Sequence, residues 1–416
     1  MSLTMHIYSK KDDTSEGWDI SEIVHDIEYT TSILGQPGKL TFVLEKDMYN
    51  SGLQIGVGSL VKFWHSDDDL EKEKPVFMGN VFTIGTDRSE AYRIVAYDSL
   101  RYLQNHNSKI ISEDDMLRLE DVFEQICSDY AKNKDGKSKL DYSYLKPNAS
   151  DYWLVTNSYI PSENFIDISE YEILRKCMDF ASRNNYTYIN PSLFKDFSES
   201  NDVNIGQYYY IRDDFGTLTL HEVLCDFLFD ENGKKKNEFL VIGNESLLTN
   251  YQYEVDIDKD TYNEFYFMYN KIKNNANEAT ETNKQVEEKQ SYFVIQAGGK
   301  IEKTNTELDG QTIGEATIPK WGKLRKFVTL NKTGGAFELE DYAKNLIELF
   351  NQPTRSMKLS ALGYDGLYAG GSFIFKLDKL KINYPVYVIS ATHHYNGDSH
   401  TMELEVNVNP KMEMFV

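Results

Sequence analysis

The chain has 416 residues, of which 40% are hydrophobic and 26% are charged, so it has room for about two to four domains with buried cores. The 66 acidic residues outnumber the 44 basic ones, and the formal net charge of −22 argues against binding to nucleic acid or to anionic membranes. An acidic surface suits the wall of a passage that must not retain DNA, and it suits ordinary solubility equally well.

Cysteine usage and hydropathy predict a protein made in the cytoplasm. Cys127, Cys177 and Cys225 lie far apart in apolar surroundings without metal-ligand spacing, which predicts reduced core thiols. The N-terminus has no apolar segment of the secretory type, and no run approaches 18 apolar residues.

The first 105 residues predict a β-barrel or sandwich, because short alternating segments recur between turn signals such as Gln36-Pro37-Gly38. The predicted strands are Met5–Tyr8, Val24–Thr31, Lys39–Glu45, Ser59–Trp64, Val76–Ile84 and Tyr92–Asp98.

Helical periodicity begins after residue 108. Apolar residues from Val122 to Tyr130 form one stripe, and a second helix is predicted from Ser169. Ser169 and Glu172 fit a capping box, in which the hydroxyl accepts from the Glu172 amide and the Glu172 carboxylate reaches back. Residues 108–205 therefore predict a small α/β domain.

The rest of the chain returns to strands. A hairpin, Tyr208–Arg212 with Thr217–Glu222, is turned by residues 213–216, and strands are expected over 251–269 and 291–297. The tract 271–290 is polar and predicts an exposed loop, with a docking element that orders on binding as the alternative. A third helix is predicted over Glu338–Phe350 before the final strands.

The two ends of the chain resemble each other. Gly58-Ser59-Leu60-Val61 corresponds to Gly371-Ser372-Phe373-Ile374, and residues 75–98 align without a gap to 385–408. In this alignment Tyr92, Ile94 and Ala96 match Met402, Leu404 and Val406. We expect a duplicated unit, so that a three-fold oligomer would present six similar faces.

Four segments in order resemble the XkdQ-type tail proteins of defective phages and R-type bacteriocins. They are residues 96–103, 211–220, 242–248 and 320–324, which contain Tyr97-Asp98-Ser99-Leu100 and Lys320-Trp321-Gly322-Lys323. The resemblance covers nearly the whole chain. The polar stretch 298–319 looks longer than the resemblance leads us to expect, which puts in doubt the local loop structure there.

The resemblance implies a baseplate hub of a contractile tail: a homotrimer with two tube-like barrels per subunit, under the hexameric tail tube and above the central spike. The expected class is α+β and β-dominated, without a cofactor. The domains would be a first barrel (1–107), a small α/β domain (108–205), a connecting hairpin segment (206–250) and a second barrel (251–416). The second barrel would carry the helix at about 338–350 and polar loops at 271–290 and 298–319.

Such a hub would bind itself, the tail tube protein, the spike protein and other baseplate proteins, with no specific nucleic-acid binding and no membrane insertion. It would be assembled into a phage tail or tail-like particle and released by lysis.

Chemical motifs give weak signals. Asp214-Phe215-Gly216 spells a kinase metal-binding triplet, but its context predicts a hairpin turn, and Gly298-Gly299-Lys300 lacks the spacing of a phosphate-binding loop. We therefore expect no catalytic, cofactor-binding or metal-binding residues.

Histidines and aromatic residues leave alternatives open. His393, His394 and His400 cluster near the C-terminus, but adjacent strand residues point to opposite faces, so His393 and His394 are poorly placed to share an ion. Paired carboxylates would suit a cell-wall-degrading glycosidase, a peptidase is also conceivable, and the 29 tyrosines would suit a glycan-binding receptor module. The hub function is preferred to both.

Overall fold

A computed structural model describes most of the chain. The described residues are 2–8, 17–45, 55–67, 72–86, 91–111, 115–131, 141–144, 152–153, 159–161, 163–184, 188–189, 209–230, 234–236, 238–272, 288–297, 316–333, 343, 346–347 and 350–408.

Strands dominate these residues, which confirms the predicted β-dominated α+β class. The strands are β1 (Ser2–Tyr8), β2 (Trp18–Asp19), β3 (Val24–Ser32), β4 (Lys39–Leu44), β5 (Leu60–Ser66), β6 (Lys74–Thr86), β7 (Tyr92–Tyr97), β8 (His106–Ile111), β9 (Asp141–Tyr144), β10 (Tyr152–Trp153), β11 (Glu163–Ser169), β12 (Tyr188–Ile189), β13 (Tyr209–Asp214), β14 (Thr217–Glu222), β15 (Val241–Gly243), β16 (Leu248–Asp256), β17 (Glu264–Ile272), β18 (Glu288–Gln296), β19 (Arg325–Thr333), β20 (Thr354–Leu362), β21 (Ser372–Leu377), β22 (Ile382–Asn396) and β23 (Ser399–Val408).

Helices are fewer. They are α1 (Leu119–Ala131), α2 (Glu170–Asn184), α3 (Val223–Leu228), α4 (Ile318–Trp321) and the 3-10 helices Ser99–Gln104 and Asp378–Leu380. Of the helix predicted over 338–350, the described residues Ala343, Leu346, Ile347 and Phe350 are helical. No helix among the described residues is long and apolar enough to cross a membrane.

Both ends of the chain enter one curled sheet of 13 strands. The N-terminal unit has the order β3-β4-β7-β6-β5, and the C-terminal unit has the order β16-β20-β23-β22-β21. β22 pairs with β3, so the two units are continuous. β1 extends the first unit beyond β5, whereas β15 pairs in parallel with β21 of the second.

The two units match in register as well as in strand order. Each carries a bulge at the same place in its long hairpin, between equivalent residue pairs: Val81–Ala96 and Thr83–Val95 in the first unit, Val388–Val406 and Ser390–Glu405 in the second. The preceding strands match as well, because the Val81 amide donates to the Ser59 carbonyl and the Val388 amide to the Gly371 carbonyl, both at 2.8 Å. Ser59 is therefore the equivalent of Gly371, and the predicted pairing of Gly58 with Gly371 is wrong by one residue. A duplicated unit accounts for all of these coincidences.

The register corrects the alignment of 75–98 with 385–408. Pairing Tyr92, Ile94 and Ala96 with Met402, Leu404 and Val406 agrees with the register, but the gap-free extension to the preceding strand is wrong. Val81 corresponds to Val388, three positions from the residue that the shared Pro-Val dipeptides indicated. The second hairpin contains three more residues between the equivalent pairs, and a change in hairpin length leaves the sheet register intact.

A mixed helical and β layer lies between the units in sequence. α1 packs on α2, and α2 also packs on the 3-10 helix after β7, which buries Leu119, Phe123, Leu174 and Cys177 in a common core. Burial raises the pKa of both the Cys127 and the Cys177 thiols to about 12, and the three cysteines are free and buried, as predicted.

A small sheet, β18-β17-β19, forms a separate core with the helical residues Ala343, Leu346, Ile347 and Phe350. The prediction of one strand over 251–269 is wrong, because β16 ends at Asp256 and β17 starts at Glu264 on another sheet. β17 and β18 extend a few residues into the tract predicted as a polar loop, and residues 273–287 and 298–315 lie outside the described residues.

The Lys-Trp-Gly-Lys segment anchors this small sheet. Buried Asn263 accepts from the Leu324 amide at 2.8 Å and donates to the Gly322 carbonyl at 2.9 Å. Glu264, also fully buried, binds Lys323 at 3.1 Å and Arg325 at 2.5 Å. The segment that carried part of the family resemblance therefore has a structural role.

Half of the predicted capping box is present at α2. The Glu172 amide donates to Ser169 Oγ at 3.1 Å, as predicted. The return bond is wrong, because the Glu172 carboxylate binds the Arg175 guanidinium at 2.7 Å. The guanidinium of Arg175 lies one turn along the helix and offers the Glu172 carboxylate two charged donors. Ser169 is still the last residue of β11, where it pairs with His106.

We predict that Ser169→Ala lowers the free energy of unfolding by about 1 kcal/mol, because the Glu172 amide loses its acceptor. Urea unfolding followed by circular dichroism measures the change. Ser128→Ala in α1 is the matched control, since that hydroxyl donates to the Gln125 carbonyl within the helix and caps nothing. A loss no greater than that of the control would contradict the assigned cap.

A pH prediction follows from Glu222, which is fully buried and accepts from the Cys225 amide at 2.8 Å at the start of α3. Burial raises the pKa of this carboxyl to about 7, above its usual 4.5. The folded chain then binds this proton more tightly than the unfolded chain, so Glu222 lowers stability as pH rises from about 4.5 to 7, by on the order of 3 kcal/mol.

Glu222→Gln should therefore flatten the fall in unfolding free energy between pH 5 and pH 8, measured by urea unfolding at each pH. Glu245→Gln, in an exposed turn, is the control. Equal pH slopes for the Glu222 variant and the unmodified chain would refute the raised pKa.

Candidate assembly interface

The joint between the two units is built by β3 and β22. Their ladder runs from Ser390 opposite Ser32 to Tyr395 opposite Ile27. β22 pairs with β21 up to Tyr387, bulges after Val388, and then presents the same edge to β3. The bulge redirects the strand, so one strand serves two partners.

The joint is well packed. On β3, Ile27, Tyr29 and Thr31 are 2%, 4% and 5% exposed. The Tyr29 ring meets Tyr368 of the second unit at a centroid distance of 5.6 Å, and the Ala369 amide donates to Thr31 Oγ1 at 3.0 Å. Residues of the second unit therefore cover this face of β3.

The equivalent edges at the outer ends of the two units have no such cover. β16 corresponds to β3, and among the described residues it pairs with β20 alone. Its residues Tyr251 and Val255 occupy the positions of Ile27 and Thr31, yet they are 39% and 50% exposed. The same positions are thus buried where a second unit docks and exposed where none does.

The complementary edge lies on β6. This strand corresponds to β22, and past its bulge the described residues Thr83–Gly85 pair with β7 only. Thr83 and Gly85 are exposed and Ile84 is half-buried. Ala391 of β22, which corresponds to Ile84, is fully buried. The chain therefore has two outer sheet edges. The edge on β6 corresponds to that of β22, and the edge on β16 corresponds to that of β3.

A buried cluster of histidines and aspartates lies beside the joint. His65 ends β5, Asp365 follows β20 and His400 begins β23; all three are buried, and Asp67 borders them with its side chain 31% exposed. His65 Nδ1 lies 2.9 Å from Asp365 Oδ1, and His400 Nδ1 lies 2.6 Å from Asp67 Oδ1. The cluster links residues about 300 positions apart in sequence.

His393 continues this cluster inward. Its Nδ1 lies 2.9 Å from His400 Nε2, and its Nε2 lies 2.8 Å from the Leu367 carbonyl oxygen. Burial lowers the pKa of His393 to about 3 and also lowers the pKa of His400, so both rings are neutral at neutral pH.

The histidine prediction was partly right. His393 and His394 do point to opposite faces: His393 is buried in the cluster, whereas His394 is part-exposed, 3.8 Å from Glu28. The sequence argument missed His65, Asp67 and Asp365, because they come from three distant segments with no shared motif. A His-Ser-Asp sequence at a strand end was the one local signal.

The other motifs are structural where they are described. The predicted hairpin turn is confirmed, but it has two residues, Phe215 and Gly216 with φ of 53° and 93°, because β13 continues through Asp214. The Phe215 ring packs on Trp64 of the first unit at 5.3 Å. Gly298-Gly299-Lys300 lies outside the described residues.

Asp98 is a buried acid of raised pKa beside a small cavity. Burial, reinforced by Asp213, raises the pKa of Asp98 well above its usual value. The Asp98 carboxylate accepts from the Gly38 and Leu100 amides, and the cavity beside it measures about 10 Å³, the size of one water molecule. A larger groove of about 550 Å³ is lined by Lys39, Arg101 and neutral residues.

Comparisons with known proteins agree with this architecture. A family model described as YQBQ-like matches residues 27–134, 192–315 and 311–407. No curated protein sequence matched.

Solved structures of tail proteins share the fold. The tail protein from Neisseria meningitidis MC58 is 9% identical with a TM-score of 0.55, over 98% of this chain and 97% of that one. The 43 kDa tail protein of prophage MuSo2 from Shewanella oneidensis is 9% identical with a TM-score of 0.55, over 99% of both chains. The prophage tail protein gp18 from Listeria monocytogenes EGD-e is 10% identical with a TM-score of 0.51, over 98% and 95%.

The resemblance to phage tail proteins that four sequence segments indicated is thus confirmed. Since the family match spans well over half of the sequence, the chain belongs to the YQBQ-like family.

Proposed function

We propose that this chain is the baseplate hub of a contractile phage tail or tail-like particle. Three copies would close into a ring of six related units that adapts the hexameric tail tube to the trimeric central spike. The role is mechanical and non-enzymatic, and its partners are a second and third copy, the tube protein, the spike protein and other baseplate proteins. The hub is made in the bacterial cytoplasm, assembled into the tail and released by lysis.

The observation that carries this proposal is the pair of complementary outer edges. Within one chain, β22 of the second unit docks on β3 of the first. The equivalent contact between chains would place β6 of one copy on β16 of the next. A head-to-tail contact of this kind closes into a ring when its rotation allows, and two units per chain give six units from three chains.

The internal joint also supplies the register of the contact between copies. Ala391 faces Thr31 across the internal joint. The equivalent residues are Ile84 on β6 and Val255 on β16, so they should face each other across two chains. Burying the exposed Tyr251 and Val255 supplies hydrophobic free energy at this contact.

The net charge of −22 supports a passage function. A ring with acidic walls repels the phosphate backbone, so DNA can pass without being held. The alternatives, a cell-wall-degrading enzyme and a glycan-binding module, lack a comparable observation among the described residues. The buried acid Asp98 lies beside a cavity of water size, and no carboxylate lines the larger groove.

We predict that a chain carrying both Ile84→Cys and Val255→Cys forms a covalently closed trimer on mild oxidation. The native cysteines are buried and leave the engineered pair as the reactive thiols. Non-reducing electrophoresis and light scattering should give three times the chain mass of 48.1 kDa.

The matched control combines Ile84→Cys with Gln252→Cys. Gln252 lies three residues from Val255, about 10 Å along the strand and on the opposite face, so it should not crosslink. If oxidation of the chain with Ile84→Cys and Val255→Cys gave only monomers, or a ladder of ever larger oligomers, the proposed closed ring of three copies would be refuted.

We also predict that Val255→Lys abolishes the trimer while leaving the circular dichroism spectrum unchanged, because a lysine on an edge strand opposes strand pairing. Ile110→Lys is the control, since Ile110 is 72% exposed on β8, a strand that pairs with β11 outside the 13-stranded sheet. A Val255 variant that keeps the trimer mass in light scattering would exclude β16 from the contact.

A further inference from the structure

Four side chains beside the joint are arranged as a ligand set. The ligand atoms of His65, Asp67, Asp365 and His400 all lie within 4.8 Å of one another. We propose that these four residues bind one first-row divalent transition-metal ion, such as Zn²⁺, and that the ion fastens the N-terminal unit to the C-terminal unit. The proposal is independent of the hub function.

The distances suit a tetrahedral ion. A tetrahedral Zn²⁺ with nitrogen and oxygen ligands at about 2.0–2.2 Å separates those ligands by roughly 3.3–3.6 Å. Here two contacts are shorter, at 2.9 Å (His65–Asp365) and 2.6 Å (His400–Asp67), and the two cross contacts, His65–Asp67 and His400–Asp365, are both 3.9 Å. The two remaining separations, His65–His400 and Asp67–Asp365, are at most 4.8 Å. Changes of up to about 1.5 Å in these separations would therefore produce the coordination geometry.

Both carboxylates are already oriented. The Asp67 amide donates to Asp365 Oδ2 at 2.9 Å, and the Asp365 amide donates to Asp67 Oδ2 at 3.0 Å. Each aspartate thus has one oxygen held by the other's backbone, and its Oδ1 faces an imidazole Nδ1. Hydrogen bonds of this kind, which orient the ligating carboxylates, are typical of metal sites.

The hydrogen bonds around His400 are compatible with an ion at its Nδ1. The Leu367 carbonyl, His393, His400 and Asp67 form a chain of three contacts. When an ion replaces the contact between His400 and Asp67, the two contacts that remain need one donor from each imidazole.

With an ion at His400 Nδ1, His400 donates from Nε2 to His393 Nδ1, and His393 donates from Nε2 to the Leu367 carbonyl. Each of these two imidazoles then carries one proton, on Nε2, and the two aspartates neutralise the divalent charge. The partly exposed side chain of Asp67 gives the ion its route from solvent.

The site would act on one joint only. Leu377 occupies on β21 the position that His65 occupies on β5, so the equivalent contact between copies lacks this ligand. The ion would stiffen the joint within each chain and leave the joints between chains without a metal.

The test uses the full-length, tag-free chain after chelator treatment. With equimolar ZnCl₂ followed by desalting, elemental analysis should find about one Zn²⁺ per chain, and the unfolding temperature should rise by several degrees. Co²⁺ in place of Zn²⁺ should give the visible absorption of a tetrahedral site.

Asp67→Asn and Asp365→Asn should each lose the bound ion and the rise in unfolding temperature. Asp67 is the safer substitution, because it is partly exposed and asparagine keeps the carbonyl acceptor. His394→Gln, outside the cluster on the opposite face, should bind as the unmodified chain does. The proposal would be overturned if the unmodified chain held no Zn²⁺ after loading, or if the Asp67→Asn variant held as much Zn²⁺ as the unmodified chain.

Discussion

The sheet of this protein depends on one strand that pairs with two partners along the same edge. β22 pairs with β21 from Ile382, which lies opposite Leu377, to Tyr387, which lies opposite Ser372. Past its bulge, β22 pairs with β3. Without the bulge, both partners would compete for one line of backbone donors and acceptors. With it, two five-stranded units become one continuous sheet, and the joint buries Tyr29 and Tyr395 between them.

The same device repeats on β6, where the second partner is missing from the chain. A strand edge with unpaired backbone groups tends to recruit another strand, and monomeric proteins usually block such edges. Here both outer edges keep the shape of the internal joint, with Val255 exposed on one and Ile84 half-buried on the other. An edge that copies a working interface is most simply explained as a second interface of the same kind.

Buried polar groups pair with residues that are distant in sequence. Asp213 in the β13–β14 hairpin accepts from the Ser99 amide at 2.8 Å, and Glu264 binds Arg325 across the small sheet. The His–Asp cluster beside the joint belongs to this class. Buried polar groups lock register when every partner is present, so an ion that completes the cluster would also secure the relative position of the two units.

Local patterns in the sequence determined most elements. Period-two alternation predicted β1 and β3 to β7, helical stripes predicted α1 and α2, and Phe215-Gly216 predicted a tight turn; all are present. These patterns succeed because each element buries one face, and the face is written in the spacing of its own residues. The likeness of the two ends was also readable, except for the length of the second hairpin and a one-residue offset between the two Gly-Ser segments.

Tertiary structure alone decided the rest. The break between β16 and β17 follows from each strand joining a different sheet, which residues 251–269 do not reveal. The pairing of β22 with β3 joins residues more than 350 positions apart, and the cluster brings His65 to Asp365 across 300 positions. Contacts between residues so far apart in sequence produce no periodic pattern in any local segment. The joint, the outer edges on β6 and β16, and the four-residue cluster are therefore visible only in the folded chain.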